Sequence, residues 1–200
     1  MEYEIVFSSE DYLVINKPAG VVVNRAESVN GETVQDWVEK KLSLRAYSRG
    51  NPDTGSPRRE YTPRDDRNGA SNDDILFRKR SGICHRLDKE TSGCLLIAKN
   101  PAALIHALKE FKERRVEKEY LALVHGLVNP KEGTIKLPLA RTRFDREKFE
   151  VRYSGKIAET SWRVEQSFQR SAFSGQLPVT LVRLFPKTGR THQIRVHLSH

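Results

Sequence analysis

The densest run of chemistry-bearing residues is Ser81-Gly82-Ile83-Cys84-His85-Arg86-Leu87-Asp88-Lys89-Glu90-Thr91-Ser92-Gly93, set between apolar segments that must hold it against a core. Asp88 has Arg86 and Lys89 close in sequence, and positive neighbours favour an ionised carboxylate, available as nucleophile or base at neutral pH. A solvated turn in which Asp88 caps Thr91 or Ser92 fits the same spacing. The second run, Lys187-Thr188-Gly189-Arg190-Thr191-His192-Gln193-Ile194-Arg195-Val196-His197-Leu198-Ser199-His200, places a glycine turn after a strand and before a helical start. Such a turn can offer backbone N–H groups and the Arg190 and Arg195 guanidinium groups to phosphate or carboxylate. A basic helix start paired with an acid elsewhere, for which Asp88 is available, fits equally. The run is not a Walker loop, because GxxxxGK is absent. His192, His197 and His200 come with no HExxH pattern or acidic cluster, so no metal is expected. Tyr120 shares one side of its strand with Ala122 and Val124, the ordinary place of a core tyrosine. Cys84 and Cys94, nine residues between them, match no zinc or redox spacing and read as free thiols in a reducing compartment.

The charge balance says what such residues would meet. Thirty-five Lys and Arg against 26 Asp and Glu leave a net +9, which favours a polyanionic partner, nucleic acid ahead of an anionic membrane surface. A basic face that is merely solvated accounts for the same number. Two hundred residues with 37% hydrophobic content suffice for one core. No stretch approaches the roughly 20 apolar residues of a membrane span, and the opening Met1-Glu2-Tyr3-Glu4 carries acid where a signal peptide carries base. A cytoplasmic protein is expected, without membrane association.

The elements that must position these residues follow from periodicity. Tyr3 to Phe7 and Tyr12 to Ile15 suggest two strands, and Val21 to Val23 a third after the Lys17-Pro18-Ala19-Gly20 turn. Val34, Trp37, Val38 and Leu42 form a helical stripe with Thr33 as its N-cap. Residues 46–74 contain no Val, Ile, Leu, Phe, Met or Trp and are expected to be a disordered insertion, with order resuming at Ile75. Its arginines are diluted by acids, which favours a solvated linker over a binding arm. Cys94 to Lys99 reads as a buried strand, and Asn100-Pro101 as the cap and first turn of a helix burying Leu104, Leu108 and Phe111. Further strands are predicted at Tyr120–Val124, Gly133–Leu137, Ala158–Phe168 and Val179–Phe185. Many strands and few helices predict an α+β fold: a single mixed, mostly antiparallel sheet with flanking helices.

The residues also resemble a known family. His85-Arg86-Leu87-Asp88 with Thr91-Ser92-Gly93, then Lys118-Glu119-Tyr120-Leu121-Ala122-Leu123-Val124, then Thr188-Gly189-Arg190-Thr191-His192-Gln193-Ile194-Arg195-Val196-His197, resemble in order and separation the three motifs of RluA-type pseudouridine synthases. Leu13-Val14-Ile15-Asn16-Lys17-Pro18-Ala19-Gly20 is similar to the first hairpin of their catalytic domain. The resemblance implies isomerisation of specific uridines in ribosomal or transfer RNA to pseudouridine by a monomer, without metal, nucleotide or organic cofactor. It implies that Asp88 is the essential aspartate, acting either on the sugar anomeric carbon or through a glycal. Tyr120 would pack on the target base and serve in proton removal from C5, and Arg195 would pair with Asp88. Arg86 would help displace the nucleotide from its stack, and Ile194 would line the uracil site.

The family continues beyond the third motif with a segment that completes the sheet, so a chain ending at His200 is expected to be one catalytic domain, residues 1–200, lacking its C-terminal end. The insertion at 46–74 is a second departure. No S4-like RNA-binding domain is expected before the hairpin, which would leave target choice to the catalytic domain. A non-catalytic RNA-binding module of the same fold and a base hydrolase with an aspartate nucleophile are the competing readings.

Overall fold

The computed structural model describes residues 2–27, 29–42, 71–143, 145, 148–168 and 177–200. The chain divides into two compact units, Met1–Glu113 and Arg114–His200.

In the first unit, β1 (Glu4–Ser8), β2 (Tyr12–Lys17) and β3 (Gly93–Ala98) form an antiparallel sheet in the order β1-β2-β3. The β1–β2 turn is closed by the Ser9 N–H donating to the Tyr12 carbonyl at 2.8 Å. β1 is the edge strand, carries a bulge between Ile5 and Phe7, and is exposed throughout. β2 and β3 bury Leu13, Ile15, Leu95 and Ile97. Helix α1 (Val34–Lys41) starts at Thr33 as its side chain predicts. The Thr33 hydroxyl accepts from the Asp36 N–H while the Asp36 carboxylate accepts from the Thr33 N–H, a reciprocal cap that satisfies two otherwise orphaned donors. Helix α2 (Asn72–Arg80) leads into the aspartate motif, and α3 (Pro101–Lys112) starts at Asn100, whose side chain accepts from the Ala103 N–H at 2.8 Å. α2 packs on α3, and α3 on β3, around Phe77, Cys84, Ala98 and Leu104.

Two expectations change here. Val21 to Val23 is not a strand; the Val22 and Val23 carbonyls instead accept the Val34 and Gln35 N–H groups of the first turn of α1. Those donors have no partner within the helix, and the neighbouring backbone supplies one. The insertion expected at 46–74 lies outside the described residues up to residue 70, but 71–74 is ordered. Ser71 and Asp74 cap each other as Thr33 and Asp36 do, and this local bonding starts α2 without any apolar residue.

In the second unit, β4 (Tyr120–His125), β5 (Glu132–Arg141), β6 (Phe149–Val151), β7 (Lys156–Phe168) and β8 (Val179–Pro186) form an antiparallel sheet in the order β4-β8-β7-β5-β6. Helix α4 (Gln193–Ser199) packs on β5, β6 and β7, where Val196 meets Leu139 and Ala158. The α+β class and the antiparallel pairing are as expected. The described strands are hydrogen-bonded in two sheets, one in each unit, rather than in the single sheet expected; alternation along a strand gives its inward face but not which strands share its ladder. All pairs among the described strands are antiparallel. No described helix is long and apolar enough to cross a membrane.

Candidate active site

Arg86 and Asp88 belong to the first unit, and Tyr120, Ile194 and Arg195 to the second. In the first, α2 ends at Ser81, a buried residue in the left-handed region at φ 50°, whose hydroxyl donates to Glu39 at 2.6 Å. Gly82 follows at φ +74°, with its carbonyl accepting from the Ala98 N–H at 2.8 Å. Arg80 reaches forward to the carbonyls of Ile83 and Cys84 at 3.0 and 3.3 Å. The Cys84 N–H donates to the Leu96 carbonyl, and His85 Nε2 accepts from the Leu96 N–H at 3.1 Å, so the proton of neutral His85 is on Nδ1. The segment entering the aspartate is therefore fastened residue by residue to β3.

From there the side chains alternate. Leu87 is buried, Arg86 is exposed, and Asp88 is half-buried. The turn after it closes by the Thr91 N–H donating to the Asp88 carbonyl at 3.1 Å, so this N–H is held by main chain. Behind the turn stands Lys17, the last residue of β2, with no exposed surface. Its ammonium donates to the carbonyls of Pro18, Val21 and Lys89 at 2.8, 2.9 and 3.0 Å. Burial pushes its pKa below the ordinary lysine range, and the Glu90 and Asp88 carboxylates pull it back up.

In the second unit Tyr120 opens β4. It is half-buried and alternates as predicted, with Ala122 and Val124 inward and Leu121 and Leu123 exposed. Its partner in register is Leu184, whose own partner is Trp162. Trp162 and Thr160 point to one face of β7, so Tyr120 lies on the sheet face that α4 covers, two strand spacings, or about 10 Å, from β7. On the opposite face Arg183 bonds Glu119 and Glu165, tying the start of β4 to β8 and β7. Burial lowers the pKa of nearby Lys118, and Arg114 adds to the effect.

Ile194 and Arg195 begin α4, half-buried and exposed respectively. The helix is fixed beneath them by buried polar groups. Gln193 Nε2 donates to the Glu159 carbonyl at 3.0 Å and to Thr160 Oγ1 at 2.9 Å, and its Oε1 accepts from Thr188 Oγ1 and the Arg190 N–H at 2.6 and 3.0 Å. His197 Nε2 lies 3.4 Å from the Leu137 carbonyl and Nδ1 2.9 Å from Thr160 Oγ1. A carbonyl can only accept, so Nε2 carries the proton and Nδ1 takes the Thr160 hydroxyl. Burial lowers the pKa of His197, keeping it neutral; the Leu137 bond opposes this and His200 adds to it. Of the backbone N–H groups that this glycine turn was expected to offer to an anion, that of Arg190 is taken by Gln193. Sequence reasoning also missed the buried roles of Lys17, Gln193 and His197. Polar types at these positions read as surface, and only pairing with distant backbone explains their burial.

Among the described residues no group of three or more His, Cys, Asp or Glu is arranged to hold a metal ion. Both cysteines are free, and burial pushes the Cys84 thiol up to about 12, which makes it a poor nucleophile.

Comparison with known proteins places the chain in a family. The family of RNA pseudouridylate synthases matches residues 11–200. The uncharacterized RNA pseudouridine synthase YlyB of Bacillus subtilis is 34% identical over 201 residues, 100% of this chain and 54% of that protein. The ribosomal large subunit pseudouridine synthase D of Pseudomonas aeruginosa is 34% identical over 200 residues, 100% of this chain and 50% of that protein. The chain thus spans about half the length of these curated relatives. Among solved structures, human RNA pseudouridylate synthase domain containing 1 superposes with a TM-score of 0.65 at 29% identity, covering 99% of this chain and 64% of that one. With residues 11–200 matched by the family and relatives 34% identical along its whole length, the chain belongs to the RNA pseudouridylate synthase family.

Proposed function

We propose that residues 1–200 form the catalytic domain of an enzyme that isomerises uridines in RNA to pseudouridine without a metal or cofactor. Asp88 is the reacting carboxylate. By one route its oxygen bonds to C1′ as the bond from C1′ to N1 breaks, and C5 of the turned uracil then displaces the carboxylate from C1′; by the glycal route it takes the C2′ proton as the same bond breaks and returns it as C5 joins C1′; in both, N1 gains a proton and the C5 proton leaves to water. Tyr120 packs on the base and serves in removing that proton. Arg195 is the guanidinium that pairs with Asp88, Arg86 helps displace the target nucleotide, and Ile194 lines the uracil site. Extruding a stacked base costs a few kcal/mol, offset by stacking and contacts to the base. Pairing a carboxylate with a guanidinium away from water costs several kcal/mol of desolvation and holds only with good geometry.

The observation that carries this reading is the half-buried Asp88, in a turn fastened on both sides to the core, inside the region that the family matches. The names of the relatives favour ribosomal RNA as substrate, and the protein is taken to act as a cytoplasmic monomer. The test is tritium release from RNA carrying [5-³H]uridine. Wild type should release tritium and leave pseudouridine in the product, while Asp88→Ala should do neither. Activity that survives Asp88→Ala rejects the assigned nucleophile, and salt-sensitive RNA binding with no isomerisation by the full-length protein supports the non-catalytic module instead.

A further inference from the structure

The positive surplus of the chain is not shared between its two units. Arg114–His200 holds 17 Lys and Arg against 8 Asp and Glu, whereas Met1–Glu113 holds 18 of each, so the whole +9 belongs to the second unit. Within that unit Glu119, Asp145, Glu150, Glu159 and Glu165 are each engaged by a lysine or arginine of the same unit. The second unit is thus a polycation whose acids are largely neutralised internally, a charge distribution suited to a phosphate backbone.

One side chain of this unit does nothing for its own packing. Tyr153 is 99% exposed, more than any other large apolar side chain among the described residues. Val151 of β6 and Lys156 of β7 both stand opposite Leu139, so residues 152–155 leave the ladder as a turn. That turn is closed by the Gly155 N–H donating to the Arg152 carbonyl at 2.8 Å, and it is tied to β5 by the Arg152 N–H donating to the Pro138 carbonyl at 2.9 Å. A Cβ on Gly155 would lie 2.5 Å from the carbonyl carbon and oxygen of Leu139, so the turn rests directly on the main chain of β5. The tyrosine is therefore carried into solvent by an anchored turn, and stacking on its ring would fix only two side-chain torsions. Lys156 follows it, also exposed. Four residues before it Phe149 takes the Arg141 guanidinium over its ring at 5.5 Å and meets the His192 ring edge-on at 5.5 Å. Cations and rings thus continue from the turn to the start of α4, where Ile194 and Arg195 stand.

A turn that is merely solvated is served by Ser, Asn or Asp at such a position, the types that turns favour. What tyrosine adds is a flat apolar face. A partner that carries both regular negative charge and flat apolar faces is RNA with unpaired bases, which stack on aromatic side chains whatever their sequence. We propose that Tyr153 is a stacking contact for an unpaired base of the substrate RNA outside the target uridine, with Lys156 beside it on the phosphate backbone. The inference rests on the reading of RNA as substrate given above. The contact lies away from the reacting atoms, so its effect falls on capture of RNA and not on the chemical step.

The test measures the Kd of the full-length protein for a large-subunit ribosomal RNA transcript over a salt series, and separately the single-turnover rate of pseudouridine formation at saturating enzyme. Wild type is compared with Tyr153→Ala, Tyr153→Phe and Lys156→Gln, and urea titration should show equal stability, since the exposed ring has no packing to lose. Tyr153→Ala should raise Kd about fivefold or more, with the salt slope and the saturating rate unchanged, while Tyr153→Phe stays within about twofold of wild type. Lys156→Gln should weaken binding and reduce the salt slope by about one. A smaller rise in Kd for Tyr153→Ala overturns the proposal, and so does a Tyr153→Phe that loses as much, which would assign the contact to the hydroxyl. An unchanged slope in Lys156→Gln overturns the phosphate contact. A wild-type dimer in sedimentation that Tyr153→Ala abolishes, with RNA binding unaltered, assigns the ring to a second copy of the chain and overturns the proposal as well. Wild type that binds the transcript but makes no pseudouridine refutes the functional reading, and the comparison of Kd values still decides the contact; wild type that does not bind it overturns both.

Discussion

Gly82 offers a sharp test of how the aspartate segment is held. A Cβ added there would lie 2.2 Å from the Ala98 carbonyl oxygen and 3.2 Å from the Phe77 ring, and the backbone is left-handed at φ +74°. The oxygen is main chain of β3 and cannot swing aside. Gly82→Ala therefore carries a left-handed backbone cost of about 1 to 2 kcal/mol. Relieving the clash must also stretch both the Ala98 N–H to Gly82 carbonyl bond and its neighbour from Cys84 to Leu96, at about 1 kcal/mol each. The total of about 3 to 4 kcal/mol is a large share of an ordinary folding stability of about 5 to 15 kcal/mol. For a chain of this length it lowers Tm by roughly 10 °C, at about 2 to 4 °C per kcal/mol. Gly20→Ala is the control, since it has a similar φ and no contact, and it should lose only about 1 to 2 kcal/mol. The assay is urea unfolding followed by the fluorescence of buried Trp37. Equal losses of stability in the two variants would refute the claim that the Ala98 carbonyl constrains this segment.

Three further outcomes are expected. Thr33→Ala removes the cap of α1 and should cost about 1 kcal/mol in urea unfolding at pH 7. Burial raises the Asp36 carboxyl, but the Thr33 donors and Arg25 outweigh this and hold it at about 2; the stability it contributes is complete above its ordinary value near 4 and is lost as the pH falls towards 2, and Thr33→Ala should flatten that fall. His197 has the opposite protonation chemistry but the same sign: with its folded pKa lowered, the unfolded state takes up the proton first below about pH 6.5, so stability declines as pH falls from 7.5 to 5, and His197→Gln, less stable at pH 8, should show a shallower decline. The net charge of +9 implies counterion release, so raising salt from about 50 to 200 mM should weaken RNA binding tenfold or more in a filter-binding assay, and a flat response would remove phosphate contacts from the account.

Where a side chain signals to its own neighbours, the structure was legible in advance. Thr33 and Asn100-Pro101 mark the starts of α1 and α3, and the alternation after Tyr120 gives β4 its inward face. The reading failed where bonds span the sequence. In α2 only Phe77 is buried, too little for a stripe, and the usable signal was the Ser71 and Asp74 capping pair, hidden at the end of a polar run. Val21 to Val23 has strand composition, yet its carbonyls serve a helix. Nothing local to Lys17 announces partners 72 residues away, and nothing local to His197 announces Leu137. The motif residues themselves were recognisable as a set. What holds each of them in place was not.

The bulge in β1 has a consequence for handling the protein. Ile5, Val6 and Phe7 are about half exposed on an edge strand, the arrangement by which one copy can recruit another through backbone pairing. The interruption between Ile5 and Phe7 breaks the regular ladder that such recruitment needs. Straightening that strand by deleting Val6 should convert a well-behaved preparation into one that forms fibrils or precipitates on concentration, with the fold of a single copy otherwise intact.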